Sequence, residues 1–162
     1  MKTIPILVIF CMLISCATKS NQKSYKYGLD RSNIRELTMI VVQECLSDPW
    51  VQNFKKLGNR SPKMKIGEIK KQAQGNIDMR YFTQNIKKAL INSGEITFPT
   101  NDTTKSANHS LEGIITSKIT KGDDKRDVTY IVSLNVVNLK NTKVVWAFRG
   151  RVNKKFKKME SR

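Results

Sequence analysis

Three thiols, one imidazole and one pair of adjacent carboxylates are the groups in this 162-residue sequence to test first for chemistry: Cys11, Cys16, Cys45, His109 and Asp123-Asp124. A hydrolase needs a nucleophile within reach of a base that a third group orients. His109 stands in the polar stretch TNDTTKSANHS with no second ligand or triad partner near it, and reads as a solvated loop residue. Asp123-Asp124 is flanked by Lys121, Lys125 and Arg126 between two strand-like runs, where acids serve turn geometry rather than acid–base catalysis. Cys45 falls on the apolar stripe of a helical pattern, as a small core hydrophobe does. These residues predict a protein that is not an enzyme and that needs no metal ion or cofactor.

Cys16 has different surroundings. Lys2 precedes the apolar run Ile4 to Ile14, which is eleven positions long against the about 20 that a membrane-spanning helix requires. A cation, a short apolar stretch and then small residues form the layout of a secretory signal peptide. Its end, LISC at Leu13-Ile14-Ser15-Cys16, resembles the lipobox of bacterial lipoproteins. That resemblance implies cleavage before Cys16, diacylglycerol on its sulfur and acylation of the new amine; bulky Phe10 makes Cys11 a poor rival. Each buried CH₂ of an acyl chain contributes about 0.8 kcal/mol, so two or three chains anchor a protein that one would hold only reversibly. Residues 1–15 are then signal peptide, and 16–28 a lipidated cysteine with a polar tether. Cys45 is left without an intramolecular disulfide partner.

Lys and Arg number 30 against 13 acids, a formal net charge of +17, and such an excess points to an anionic partner. Export directs that expectation away from nucleic acid and toward lipid head groups, wall polymers and acidic faces of envelope proteins. No Gly-rich phosphate loop, zinc spacing or base-stacking motif argues otherwise.

The elements that must position any binding surface follow from periodicity. Asp30 or Ser32 caps a helix in which Ile34, Leu37, Val41 and Cys45 recur at helical steps, and Asp48-Pro49 ends it. Trp50, Val51, Phe54 and Leu57 suggest a short amphipathic helix. PKMKIGEIK alternates as a strand, with Met64, Ile66 and Glu68 on one face and Lys65, Gly67 and Ile69 on the other. Asp78 caps a second long helix with Met79, Phe82, Ile86, Ala89 and Leu90 as its stripe, and Gly94 stops it. EITFP reads as a short strand. SLEGIITSKIT, DVTYIVSLNVVNL and KVVWAFRGRV then form an antiparallel meander in which Tyr130, Val132, Leu134 and Val136 face one way and Ile131, Ser133, Asn135 and Val137 the other. The fold class is α+β: a small mixed sheet ending in an antiparallel meander, with helices packed on it.

Taken together, GNRSPKMKIGEIKKQAQGNIDMRYFTQNIKKALINSG, LEGIITS and YIVSLNVVNLKNTKVVWAFRGRVNKK resemble the LpoB-type lipoproteins, activators of bifunctional penicillin-binding proteins. The corresponding features are Pro62, Ile77-Asp78, Ser93-Gly94, Gly113, Val145-Trp146-Ala147 and Lys154. The resemblance implies a domain over 29–158, similar to the N-terminal domain of TolB, with 159–162 as a tail. It also implies a non-enzymatic regulator of cell-wall synthesis, anchored by its lipid in the outer membrane and facing the periplasm. Two departures stand out: the tether is much shorter than the family type's, and only TNDTTKSANHS fills the place where the family has a helix before the Gly113 strand.

Two functions therefore compete. One is recognition of an acidic face of a bifunctional penicillin-binding protein; the other is a structural or adhesive lipoprotein binding anionic envelope polymers. The cations expected at such a contact are Arg149, Arg151, Lys154 and Lys155, in the closing RGRVNKKFKKMESR, which reads equally as a solvated edge strand and tail.

Overall fold

The computed structural model describes residues 26–58, 60–99, 106–121 and 125–157. Cys16 and Asp123-Asp124 lie outside them. Elements run in the order β1 (Gly28–Leu29), α1 (Arg31–Ser47), α2 (Pro49–Gly58), β2 (Met64–Lys71), β3 (Asn76–Ile77), α3 (Met79–Asn92), β4 (His109–Lys121), β5 (Lys125–Asn138) and β6 (Val144–Lys157).

The helices start and stop for local reasons. The Asp30 carboxylate accepts the Asn33 N–H at 2.9 Å and caps α1, and Asp48, extended because Pro49 follows it, ends that helix. Pro49 opens α2, where its missing N–H costs nothing. The Trp50 indole Nε1–H donates to the Cys45 carbonyl at 3.1 Å and ties the two helices together. Asp78 caps α3 by accepting the Tyr81 N–H at 2.8 Å. Gly94, at φ 70°, supplies the left-handed residue beyond its end.

The main sheet has strand order β2-β4-β5-β6, with β2 parallel to β4 and the other pairs antiparallel. A two-stranded parallel sheet, β1-β3, joins the N-terminal segment to the approach to α3. Tyr27, just before it, meets the Phe156 ring edge-on at 5.4 Å, so the folded unit begins ahead of β1. Among the described residues, helices cover one face only. Along β5, Val128, Tyr130, Val132, Leu134 and Val136 are buried, while Thr129, Ile131, Ser133, Asn135 and Val137 are half-exposed. Ile34, Leu37 and Val41 of α1 and Phe82, Ile86 and Leu90 of α3 complete the core, as their spacing predicts. The expected α+β class and the closing meander are both present.

Three expectations need correction. β2 does not alternate regularly: its register with β4 shifts between Ile66 and Ile69, which pair with Leu111 and Gly113. That bulge at Gly67-Glu68 returns Ile69 to the face of Met64 and Ile66, so the strand keeps an apolar side from Met64 to Ile69. EITFP forms no strand: Thr97 makes an isolated parallel bridge to Lys63, and Pro99 has no N–H with which to extend it. His109 is no solvated loop residue. It opens β4, is 1% exposed, and lies with ring centroids 5.1 Å from Trp50 and 5.0 Å from Phe54. Burial lowers its affinity for a proton. The groups that bury it come from α2.

Candidate partner-docking face

The face of the sheet without helices is where charge collects. Cross-strand register builds it in rows: Lys70, Ile114, Ser133 and Arg149 in one, Thr116, Ile131 and Arg151 in the next, Lys118, Thr129 and Asn153 beyond, then Thr120, Asp127 and Lys155. Lys125 opposite Lys157 continues it to the end of the meander. Threonine, serine and isoleucine form the floor, and Thr129 Oγ1 donates to Asn153 Oδ1 at 2.8 Å. Glu112 and Asp127 stand on the same face, and the Glu68 carboxylate lies 3.6 Å from Lys70 Nζ. Cations still predominate, and their fields add to attract and orient an anionic surface.

The four cations singled out from the sequence divide. Arg149, Arg151 and Lys155 are exposed and share the open face. Lys154, one step out of phase, turns to the helix side, where its Nζ lies 3.4 Å from Asp30 Oδ2. The Asp30 carboxyl is held down to about 2 by the Ser32 hydroxyl at 2.5 Å, the Asn33 N–H and Lys154. Lys154 thus serves the cap of α1. Lys65, Lys70 and Lys118 join the face although nothing in the closing segment pointed to them. Alternation along β4 marks Lys118, but Lys65 and Lys70 share a face only through the bulge between them, so their placement needs the register of β2 with β4.

Two concavities border this face. One, of about 560 Å³, runs between α1 and β6 and is lined by Asn33, Glu36, Leu37 and Ile40 from the helix and by every residue from Phe148 to Lys154 of the strand. Gly150 keeps it open: the Phe148 ring lies 2.6 Å from where a Cβ there would sit. The other, of about 320 Å³, lies at the far end of the sheet around Trp50, Phe54, Leu57 and His109. Leu57, 90% exposed, projects there.

Cys45 is buried, and its thiol is pushed up to about 12 by that burial, so it stays protonated and inert. Among the described residues no cluster of His, Cys, Asp and Glu could hold a metal ion, and no helix is long and apolar enough to cross a membrane.

Among solved structures, the chain is similar to the LpoB C-terminal domain from Escherichia coli, at 10% identity over 75% of this chain and 99% of that one, with a TM-score of 0.47. The same domain from Salmonella enterica matches at 10% identity over 64% and 93%, with a TM-score of 0.39. Lipoprotein GNA1162 from Neisseria meningitidis matches at 8% identity over 58% and 83%, with a TM-score of 0.44. No curated protein sequence matches. The sequence family described as peptidoglycan-synthase activator LpoB matches residues 33–105 and 99–152, which takes in α1 through most of β6. The chain belongs to the LpoB family of peptidoglycan-synthase activators.

Proposed function

We propose that this protein is a lipid-anchored envelope protein that binds and activates a bifunctional penicillin-binding protein, meeting an acidic surface of that synthase with the open face of its sheet. Family membership supports the activator role. The observation that carries the mode of contact is the run of Arg149, Arg151 and Lys155 along β6, continued by Lys70 and Lys118 on neighbouring strands. The protein's part is non-enzymatic: it shifts a synthase toward its active state by binding that state more tightly.

Residues 1–15 act as a signal peptide, Cys16 carries the lipid, the tether runs from there to residue 26, shorter at its end than the expected 16–28 because Tyr27 and Gly28 already pack in the fold, and 27–158 is the docking domain, with 159–162 as its tail. Cys16 holds the protein at the outer membrane, facing the periplasm. About ten tether residues reach at most about 36 Å when extended, so the synthase must come close to the lipid surface. Replacing Cys16 by Ser removes acyl labelling and membrane fractionation and leaves the domain folded; acyl label on Cys16→Ser protein contradicts the assignment.

The deciding experiment is a glycan polymerisation assay with the purified synthase of the same cell, run at low and moderate salt. Stimulation that saturates with protein is expected, with no wall cleavage by the protein alone. A second reading, binding of anionic envelope polymers, draws on the spacing of the cations, which spread along strands instead of converging on one point. Absence of stimulation at any ratio, with equal binding to unrelated polyanions, decides for that second reading.

A further inference from the structure

We infer that the free edge of β6 takes up an extended acidic segment of a partner protein as an added strand. The acidic side chains of that segment alternate onto the open face against Arg149, Arg151 and Lys155, and its apolar side chains enter the groove beside Leu37, Ile40 and Val152. The inference rests on the activator reading only in naming a protein as the partner.

Three observations lead there. The first is the lining of the α1–β6 groove, which includes all consecutive residues from Phe148 to Lys154. Side chains of a strand alternate between faces, so successive residues share one wall only through the main chain. The groove therefore runs along the strand's own edge. β6 ends the sheet among the described residues, and such an edge offers backbone donors and acceptors to a further strand.

The second is the contrast with the opposite edge. β2 is interrupted by its bulge, which distorts that edge and spoils it as a template. β6 keeps an unbroken register with β5 from Trp146 to Lys157. A regular edge of that length is the kind that pairs.

The third is the chemistry on the two sides of the edge. Arg149, Arg151 and Lys155 repel a second copy of β6 laid alongside and give a neutral strand nothing to pair with, whereas acidic residues opposite them form favourable cross-strand pairs. The same charges that guard the edge against self-association thus select an acidic strand. Guarding alone needs no groove, yet Ile40 remains 46% exposed beside Leu37 and Val152, where the inward side chains of an added strand would lie. On that inner wall Glu36 disfavours acids, and the one lysine of the strand there, Lys154, is already paired with Asp30, so the acidic side of the incoming strand is the open one.

The test uses the full chain in mild detergent and a synthetic peptide of about eight residues, a usual strand length, alternating Glu with Val or Thr. Two controls keep its charge: one gathers the Glu residues at one end, the other carries N-methyl groups on alternate backbone amides of the pairing edge. Binding of the alternating peptide, with deuterium exchange slowed in the segment 144–157, is expected. N-methylation should weaken binding by about tenfold or more, a loss of roughly 1.4 kcal/mol, and the reversal Arg149→Glu with Arg151→Glu should weaken it as well. Equal binding of the N-methylated peptide, or binding without slowed exchange in β6, overturns the inference in favour of contact by charge alone. Absence of peptide binding by a chain that still stimulates its synthase overturns it and leaves the activator reading standing. Strand addition without stimulation does the reverse.

Discussion

Along β5, Tyr130, Val132, Leu134 and Val136 point toward the helices, and Ile131, Ser133, Asn135 and Val137, one step out of phase, point to solvent. β6 repeats the division with Trp146, Phe148 and Val152 on one side and Arg149, Arg151 and Lys155 on the other. The two faces are made from the same strands, so parity alone separates the residues that hold the fold from the cations left facing solvent. A slip of one residue would exchange the two sets. Among the described residues one whole face of the sheet carries no helix, and Lys70, Lys118, Arg149, Arg151 and Lys155 of its strands stand there.

Substitutions on the buried face should produce the largest effect. Leu134 is fully buried between the helices and its neighbours Gly113 and Phe148, and Leu134→Ala should cost about 3 kcal/mol through lost burial and the cavity left behind. Ile131→Ala, one residue away on the open face, should cost less than about 1 kcal/mol. Urea denaturation of both variants checks the pair, and equal losses would show the open face to be covered.

Next in size is the reversal of Arg149 and Arg151 to Glu. Both are exposed, so stability should move by no more than about 0.5 kcal/mol. Association with the synthase should slow by about tenfold at low salt with little change in dissociation, because charges at the rim of a contact act mainly on the on-rate. Stopped-flow binding at two salt concentrations reads this, and a salt-independent loss would move the contact off the charged face.

Much of this division was legible before any coordinates. Asp30, Asp78 and Gly94 mark helix ends by their own chemistry, and the period-two runs of the last third separate the faces of β5 without knowledge of what packs on them. The bulge in β2 was hidden because an inserted residue leaves no mark except a glycine, and Gly67 reads as well in a regular strand. His109 was misread because its burial depends on Trp50 and Phe54, more than fifty positions away in sequence. The cationic face was half legible for the same reason: alternation along β6 groups Arg149, Arg151 and Lys155 and sets Lys154 apart, but only interstrand register adds Lys70 and Lys118.

His109 adds a pH signature at the far end of the core. Its folded pKa lies below the usual histidine value because burial disfavours the charged ring. The unfolded chain therefore takes up a proton first, so the stability from burying neutral His109 is present above about pH 6.5 and declines as pH falls below it. The slope should be no steeper than one proton allows, about 1.4 kcal/mol per pH unit. His109→Phe should flatten stability between neutral and mildly acidic pH, while Asp30, whose carboxyl titrates at about 2, affects only a lower window. A slope unchanged in His109→Phe would assign the acid sensitivity to other groups.

The smallest effects make the finest test, because adjacent residues should fail in different assays. Lys154 faces the helices and lies 3.4 Å from the Asp30 carboxylate, so Lys154→Ala should lower stability slightly and let the Asp30 carboxyl rise from about 2. The Ser32 hydroxyl and Asn33 N–H remain and hold most of that depression. Docking should be unchanged. Lys155→Ala should leave stability and Asp30 alone, since its side chain lies on the open face opposite Asp127, and should weaken docking by no more than about threefold, well under the 1.4 kcal/mol of a decade. Carboxylate titration by NMR and a binding isotherm, run on both variants, decide it. If Lys155→Ala moves Asp30 and Lys154→Ala moves docking, the register of β6 is one residue away from that described, and the cationic face must be redrawn with Lys154 on it and Arg149 and Arg151 turned inward.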